Sequence, residues 1–143
     1  MRSLLLFLCI LLSSCFGWED ENHHYKISFC NNSDKDIYII DGGDYPDTTV
    51  RIYGILSEPD IYKVKAHSTN NRALSDREPY ERVIKYRFKS DTLMVFVLDA
   101  EILEARNVHV REALLYRYDL SLDDLRKCNW RLIYPPQQAD KDK

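Results

Sequence analysis

Three aspartates stand at three-residue spacing on a glycine-containing stretch, Asp41-x-x-Asp44-x-x-Asp47. Calcium takes oxygen ligands of this kind. The D-x-D-x-D-G alternation of an EF-hand loop is absent, so an acidic turn is the simpler expectation. Zinc would need convergent nitrogen or sulfur ligands. His23 and His24 are neighbours, and adjacent residues of a strand point to opposite faces. His67 and His109 have no cysteine or histidine at ligand spacing. His67-Ser68 is adjacency without a G-x-S-x-G elbow, and the chain's four glycines form no phosphate-cradling loop. With 23 acidic residues in the chain, Glu101, Glu104 or Glu112 cannot be singled out for acid–base work. The expectation is therefore no metal, no cofactor and no legible catalytic set. A site assembled from separated residues stays open, since triads form from distant positions.

The four cysteines say more. Met1-Arg2-Ser3 precedes nine apolar residues, 4–12, and Ser13-Ser14-Cys15 follows. A positive start, an apolar middle and small residues form the layout of a secretory signal. Nine helical residues span about 14 Å, too short for a hydrocarbon core of about 30 Å. Leu12-Ser13-Ser14-Cys15 also resembles a bacterial lipobox. The resemblance implies cleavage before Cys15 and acylation of its thiol and new amine. Two or more acyl chains would hold the protein on a membrane almost permanently. The alternative is an ordinary signal peptide with a chance cysteine at its end. Residues 16–22 (FGWEDEN) then read as a tether. Its acidic run, Glu19-Asp20-Glu21, is similar to the export tag of surface lipoproteins in Bacteroides-type bacteria; a solvated linker is the plainer alternative. Cys9 leaves with the signal, so Cys30 and Cys128 remain. An exported compartment permits a disulfide between them, closing a loop of about 100 residues. Two buried free thiols are the alternative.

Composition bounds the rest. Of 143 residues, removal of 1–14 leaves 129, enough for one domain. Arg2 is the only charge lost, so 19 Lys and Arg face 23 Asp and Glu. This mild acidity carries no footprint for nucleic acid and no polybasic patch for anionic lipid. Ten Tyr, five Phe and two Trp suit strands and binding surfaces alike. Tyr45, Tyr53, Tyr62, Tyr80, Tyr116 and Tyr118 could line a glycan or peptide face, though strand packing explains them more simply.

Several elements must position whatever site exists. Tyr25, Ile27 and Phe29 alternate with polar residues, Asn31-Asn32-Ser33-Asp34 supplies turn chemistry, and residues 37–40 return apolar on both faces. This predicts a hairpin. Residues 49–53 and 62–66 are weakly strand-like, and 70–74 could form one helical turn. Pro79 can open a helix that places Tyr80, Val83, Ile84 and Phe88 on one side. Residues 92–98 (TLMVFVL) carry no charge between Asp91 and Asp99, which predicts a central strand covered on both faces. Asp99 and Asn107 are N-cap candidates for two short helices. A strand over 115–120 follows. Ser121 with Asp124 resembles a capping box, and Asn129 suits a left-handed ending. A last strand follows over 130–134, stopped by Pro135-Pro136.

Over most of its mature length the chain resembles a group of small uncharacterised Bacteroides-type lipoproteins. The residues that carry the likeness are 31–38 (NNSDKDIY), 91–96 (DTLMVF), 118–122 (YDLSL), Asn129-Trp130 and Tyr134-Pro135-Pro136. The group implies location and no particular activity. The expected organisation is a signal peptide over 1–14 and an acylated acidic tether over 15–22. One β-rich domain spans 23–135, and a polar tail covers 136–143. The expected fold is mainly antiparallel and sandwich-like with a few short helices; α+β is the alternative. The expected role is a non-enzymatic binding module, lipid-anchored at the outer membrane on its periplasmic or outer side, with a protein or glycan partner. An envelope hydrolase and a toxin-neutralising immunity lipoprotein are the alternatives.

Overall fold

The computed structural model describes residues 21–52, 54–105 and 109–137. The fold is β-rich, with two sheets and a few short helices. Cys15, Tyr53, Asn107 and residues 138–143 lie outside the described residues.

The uncharged run becomes β5 (Leu93–Asp99), and all seven of its residues are buried. It is flanked on one side by β2 (Ile37–Gly42) and on the other by β6 (Leu114–Leu120), both antiparallel. The short β3 (Lys63–Val64) pairs with β2, giving the order β3-β2-β5-β6. Alternation along the strands sends Ile37, Ile39, Leu93, Val95 and Val97 to one face and Tyr38 and Leu98 to the other. Both faces of β5 are covered, which is why it is apolar from Leu93 to Leu98.

The inner face packs on a three-stranded sheet of order β4-β1-β7. Here β1 (Ser28–Asn31) runs antiparallel to β4 (Ser68–Asn70) and parallel to β7 (Arg131–Tyr134). Phe29, Leu132 and Trp130 from this side share one core with Ile39, Val95 and Val97. The Phe29 ring meets Tyr118 edge-on at 6.2 Å, and the Tyr118 hydroxyl donates to the Ile133 carbonyl at 2.6 Å, linking the two sheets. Outside the four-stranded sheet, a second core gathers Tyr38, Ile55, Leu98, Ala100, Leu103 and Ala113.

The expected hairpin is corrected. Residues 28–31 and 37–42 are strands, but they belong to different sheets and do not pair. The cause is Asn31, which is fully buried. Its amide donates to the carbonyls of Lys35 (2.8 Å), Lys65 (3.1 Å) and Val64 (3.2 Å), and its oxygen accepts from Ser33 N–H and Oγ. That set of bonds carries the chain across from one sheet to the other. The pairings are mainly antiparallel, as expected, and β1–β7 is the one parallel pair among the described strands. β7 arrives parallel after Asn129 and Trp130 turn the chain at φ 52 and 56.

Local signals elsewhere give what their chemistry dictates. Pro79 precedes α2 (Tyr80–Arg82), which runs on as a π-helical turn, Val83–Arg87. Tyr80, Val83 and Ile84 face the interior. Asp99 caps α3 (Ala100–Glu104) by accepting from Glu101 N–H and Ile102 N–H. Ser121 and Asp124 form a complete capping box on α5 (Leu122–Lys127). The other short helices among the described residues are α1 (Pro59–Tyr62) and α4 (Val110–Ala113), with a 3-10 turn over Ile55–Ser57. Among described residues 49–52 no strand forms. The helical turn expected over 70–74 is replaced by an Asn70 side chain that accepts from Arg72 N–H and Ala73 N–H. Gly43 is required by packing, because a Cβ there would lie 2.1 Å from the Phe88 ring. Among the described residues no helix is long and apolar enough to cross a membrane.

Candidate functional site

Several of the residues singled out for metal chemistry are drawn into other bonds. Asp44 pairs with Lys89 at 3.0 Å and Arg51 at 3.6 Å, and the Asp47 carboxylate accepts from Thr49 N–H at 2.9 Å. His24 stacks on Trp130 at 4.0 Å and its Nδ1 lies 2.6 Å from Glu81 Oε1. His67 Nε2 meets Asp34 at 2.8 Å. Among the described residues no three His, Cys, Asp or Glu side chains form a group able to hold a metal ion. Cys30 and Cys128 are free thiols, each with its own acceptor: Asn32 Oδ1 at 3.2 Å and the Leu125 carbonyl at 3.3 Å.

Two acids held below the usual carboxylate range do structural work. Burial alone would raise Asp99, but the Lys35 ammonium at 2.8 Å and the helix N–H groups outweigh it and hold the carboxyl low. Lys63 at 2.9 Å, then the Tyr38 hydroxyl at 2.8 Å, lower Glu104. Burial pushes the Tyr38 phenol up in turn, helped by Glu104. Glu104 thus clamps α3 to β2 and β3, which gives it a structural part that its sequence position did not disclose.

The largest of three grooves among the described residues lies on the outer face of the four-stranded sheet. It is a groove of about 740 Å³ lined by Thr48, Thr49 and Val50 on one wall and by His109, Val110 and Arg111 on the other. Phe96, Leu114 and Arg117 complete it. Each part has a local cause. Phe96 points outward because β5 alternates, and Ala113, fully buried, pins α4 over the sheet. Arg117 stands directly opposite Phe96 in the β5–β6 register. Its Nη2 donates to Asp119 Oδ2 at 2.7 Å, while its buried Nε has no partner among the described residues.

The basic side chains lining this groove are His109, Arg111 and Arg117, and none of the described lining residues is acidic. A basic rim over an apolar floor suits a ligand that joins a carboxylate or other anion to an apolar body. Two smaller grooves differ in character. One, of about 480 Å³, is polar and runs between β3 and β4 past Lys63, Lys65 and Arg72; the other, of about 520 Å³, holds Tyr25, Glu81 and Tyr86.

Sequence reasoning named His109 but missed Arg111 and Arg117, which read as solvated charges in a chain rich in them. Only the strand register and the position of α4 bring them together. Of the tyrosines, Tyr80 is core and Tyr118 is half-buried, whereas Tyr116 is 39% exposed beside Leu114 and Leu115 at 39% and 36%. Compared with protein-family models, curated proteins and solved structures, the chain matches none.

Proposed function

We propose that this chain is an exported lipoprotein held at the outer membrane by acyl groups on Cys15. Its domain is a non-enzymatic binding module facing the periplasm or the cell surface. The outer-face groove takes a protein partner through a segment that joins acidic to apolar side chains. The observation that carries the reading is the groove's lining, in which the basic His109, Arg111 and Arg117 stand beside the apolar Phe96, Val50 and Leu114. The likeness of residues 12–15 to a lipobox supplies the address.

The test is a photo-crosslinking residue placed at Thr49 in otherwise intact cells. The expected result is a discrete protein adduct whose yield falls about tenfold in Arg111→Glu, the size of a change of about 1.4 kcal/mol in binding. A charge reversal at Lys127 on α5, outside the groove lining, should leave the yield unchanged. Absence of any adduct that depends on Arg111, or turnover of an envelope substrate blocked at the same groove, would overturn the reading.

A further inference from the structure

We propose that β6 is a self-pairing edge, and that two copies of this chain join their four-stranded sheets through it. β6 is the outer strand of its sheet, and among the described residues its backbone pairs only with β5. Edge strands of monomers are usually blunted by charge (lysine above all), proline, a bulge or short length; in β6 the bulge is confined to its start and the two charges are of opposite sign. β6 has seven residues, no lysine and no proline, and it exposes Leu114, Leu115 and Tyr116. One irregularity falls between Val97 and Leu98, where Leu115 is the extra residue. Beyond it, Tyr116-Arg117-Tyr118-Asp119-Leu120 is regular.

That five-residue segment is complementary to itself when reversed. An antiparallel copy related by a twofold axis at Tyr118 sets Arg117 opposite the partner's Asp119, twice. It also sets Tyr116 opposite the partner's Leu120. Shifting the axis to Arg117 would oppose two guanidinium groups, and shifting it to Asp119 would oppose two carboxylates. Opposite charges across a strand pair stabilise, and like charges destabilise. Charge therefore selects one register, and the contact is isologous and closes as a dimer. Arg117 and Asp119 lie on the same face and are each about one-third exposed, so they can answer a second copy. A twofold normal to a continuous sheet leaves both basic grooves on the same side.

The test is sedimentation of the full chain in detergent, for wild type, Arg117→Asp, Asp119→Arg and the double exchange. Wild type should be a dimer. Each single variant should weaken dimerisation by about tenfold or more, because two attractive pairs become two repulsive ones. The double exchange should restore the dimer. As a second readout, Arg117→Cys and Asp119→Cys chains expressed together should form a mixed disulfide in greater yield than either chain alone forms with itself. A monomeric wild type, single variants as dimeric as wild type, or equal disulfide yields would each overturn the proposal.

Discussion

Replacing Asn31 with Asp is expected to destabilise the domain by about 3–5 kcal/mol, with the urea unfolding midpoint as the measurement. The change is nearly isosteric, so the effect isolates hydrogen bonding from packing. Asn31 is fully buried, and its amide nitrogen serves the carbonyls of Lys35, Val64 and Lys65. A carboxylate offers those three oxygens no donor, and burial without a cation resists its ionisation. A protonated acid would satisfy one carbonyl and leave the others short. Asn31→Ala removes the same bonds without adding charge and should lose less. A loss below about 1 kcal/mol for the Asp variant would mean that the crossing between sheets does not rest on this side chain.

Asp99→Ala should be the next most damaging polar change, at about 2–3 kcal/mol. It removes the cap from α3, strands the N–H groups of Glu101 and Ile102, and leaves Lys35 without its partner. The cap carries more of this than the ion pair, because the Lys35 side chain is 62% exposed. The effect also depends on pH in a fixed direction. The folded-state pKa of Asp99 lies below the ordinary 3.8, so its stabilisation is complete above that value. As pH falls below 3.8 towards the folded pKa, the unfolded chain takes up the proton first and the stabilisation drains away. Wild type and Asp99→Ala should therefore converge in stability on acidification and stay parallel above about pH 5. Divergence at low pH would contradict the assignment of a depressed carboxyl.

These two side chains also mark how far the sequence could be read. Asp99 was legible because its cap is local, two to three residues from the groups it serves. The same holds for Ser121 with Asp124 and for Asn129, whose left-handed backbone follows from its own chemistry. β5 was legible because an uncharged run of apolar residues, Leu93 to Leu98, is buried on both faces. The sequence alone reads Asn31 as part of a hairpin turn, because two of its acceptors lie more than 30 residues away, in β3 and just beyond it. The parallel pairing of β1 with β7 was hidden for the same reason, since periodicity reports faces and not neighbours. The groove was hidden more deeply. Arg111 and Arg117 carry no motif, and only the Phe96–Arg117 register and the seat of Ala113 on the sheet turn two ordinary surface charges into one rim.

The proposed role rests most on Cys15, because lipidation there would decide which partners the groove can meet. Membrane fractionation of wild type beside Cys15→Ala, with protease added to intact cells, tests it directly. The expected result is a wild-type chain that sediments with the outer membrane and a Cys15→Ala chain that does not. Protease sensitivity of the anchored form then tells the cell surface from the periplasm. Equal membrane association of the two chains would contradict the lipid anchor and the location built upon it.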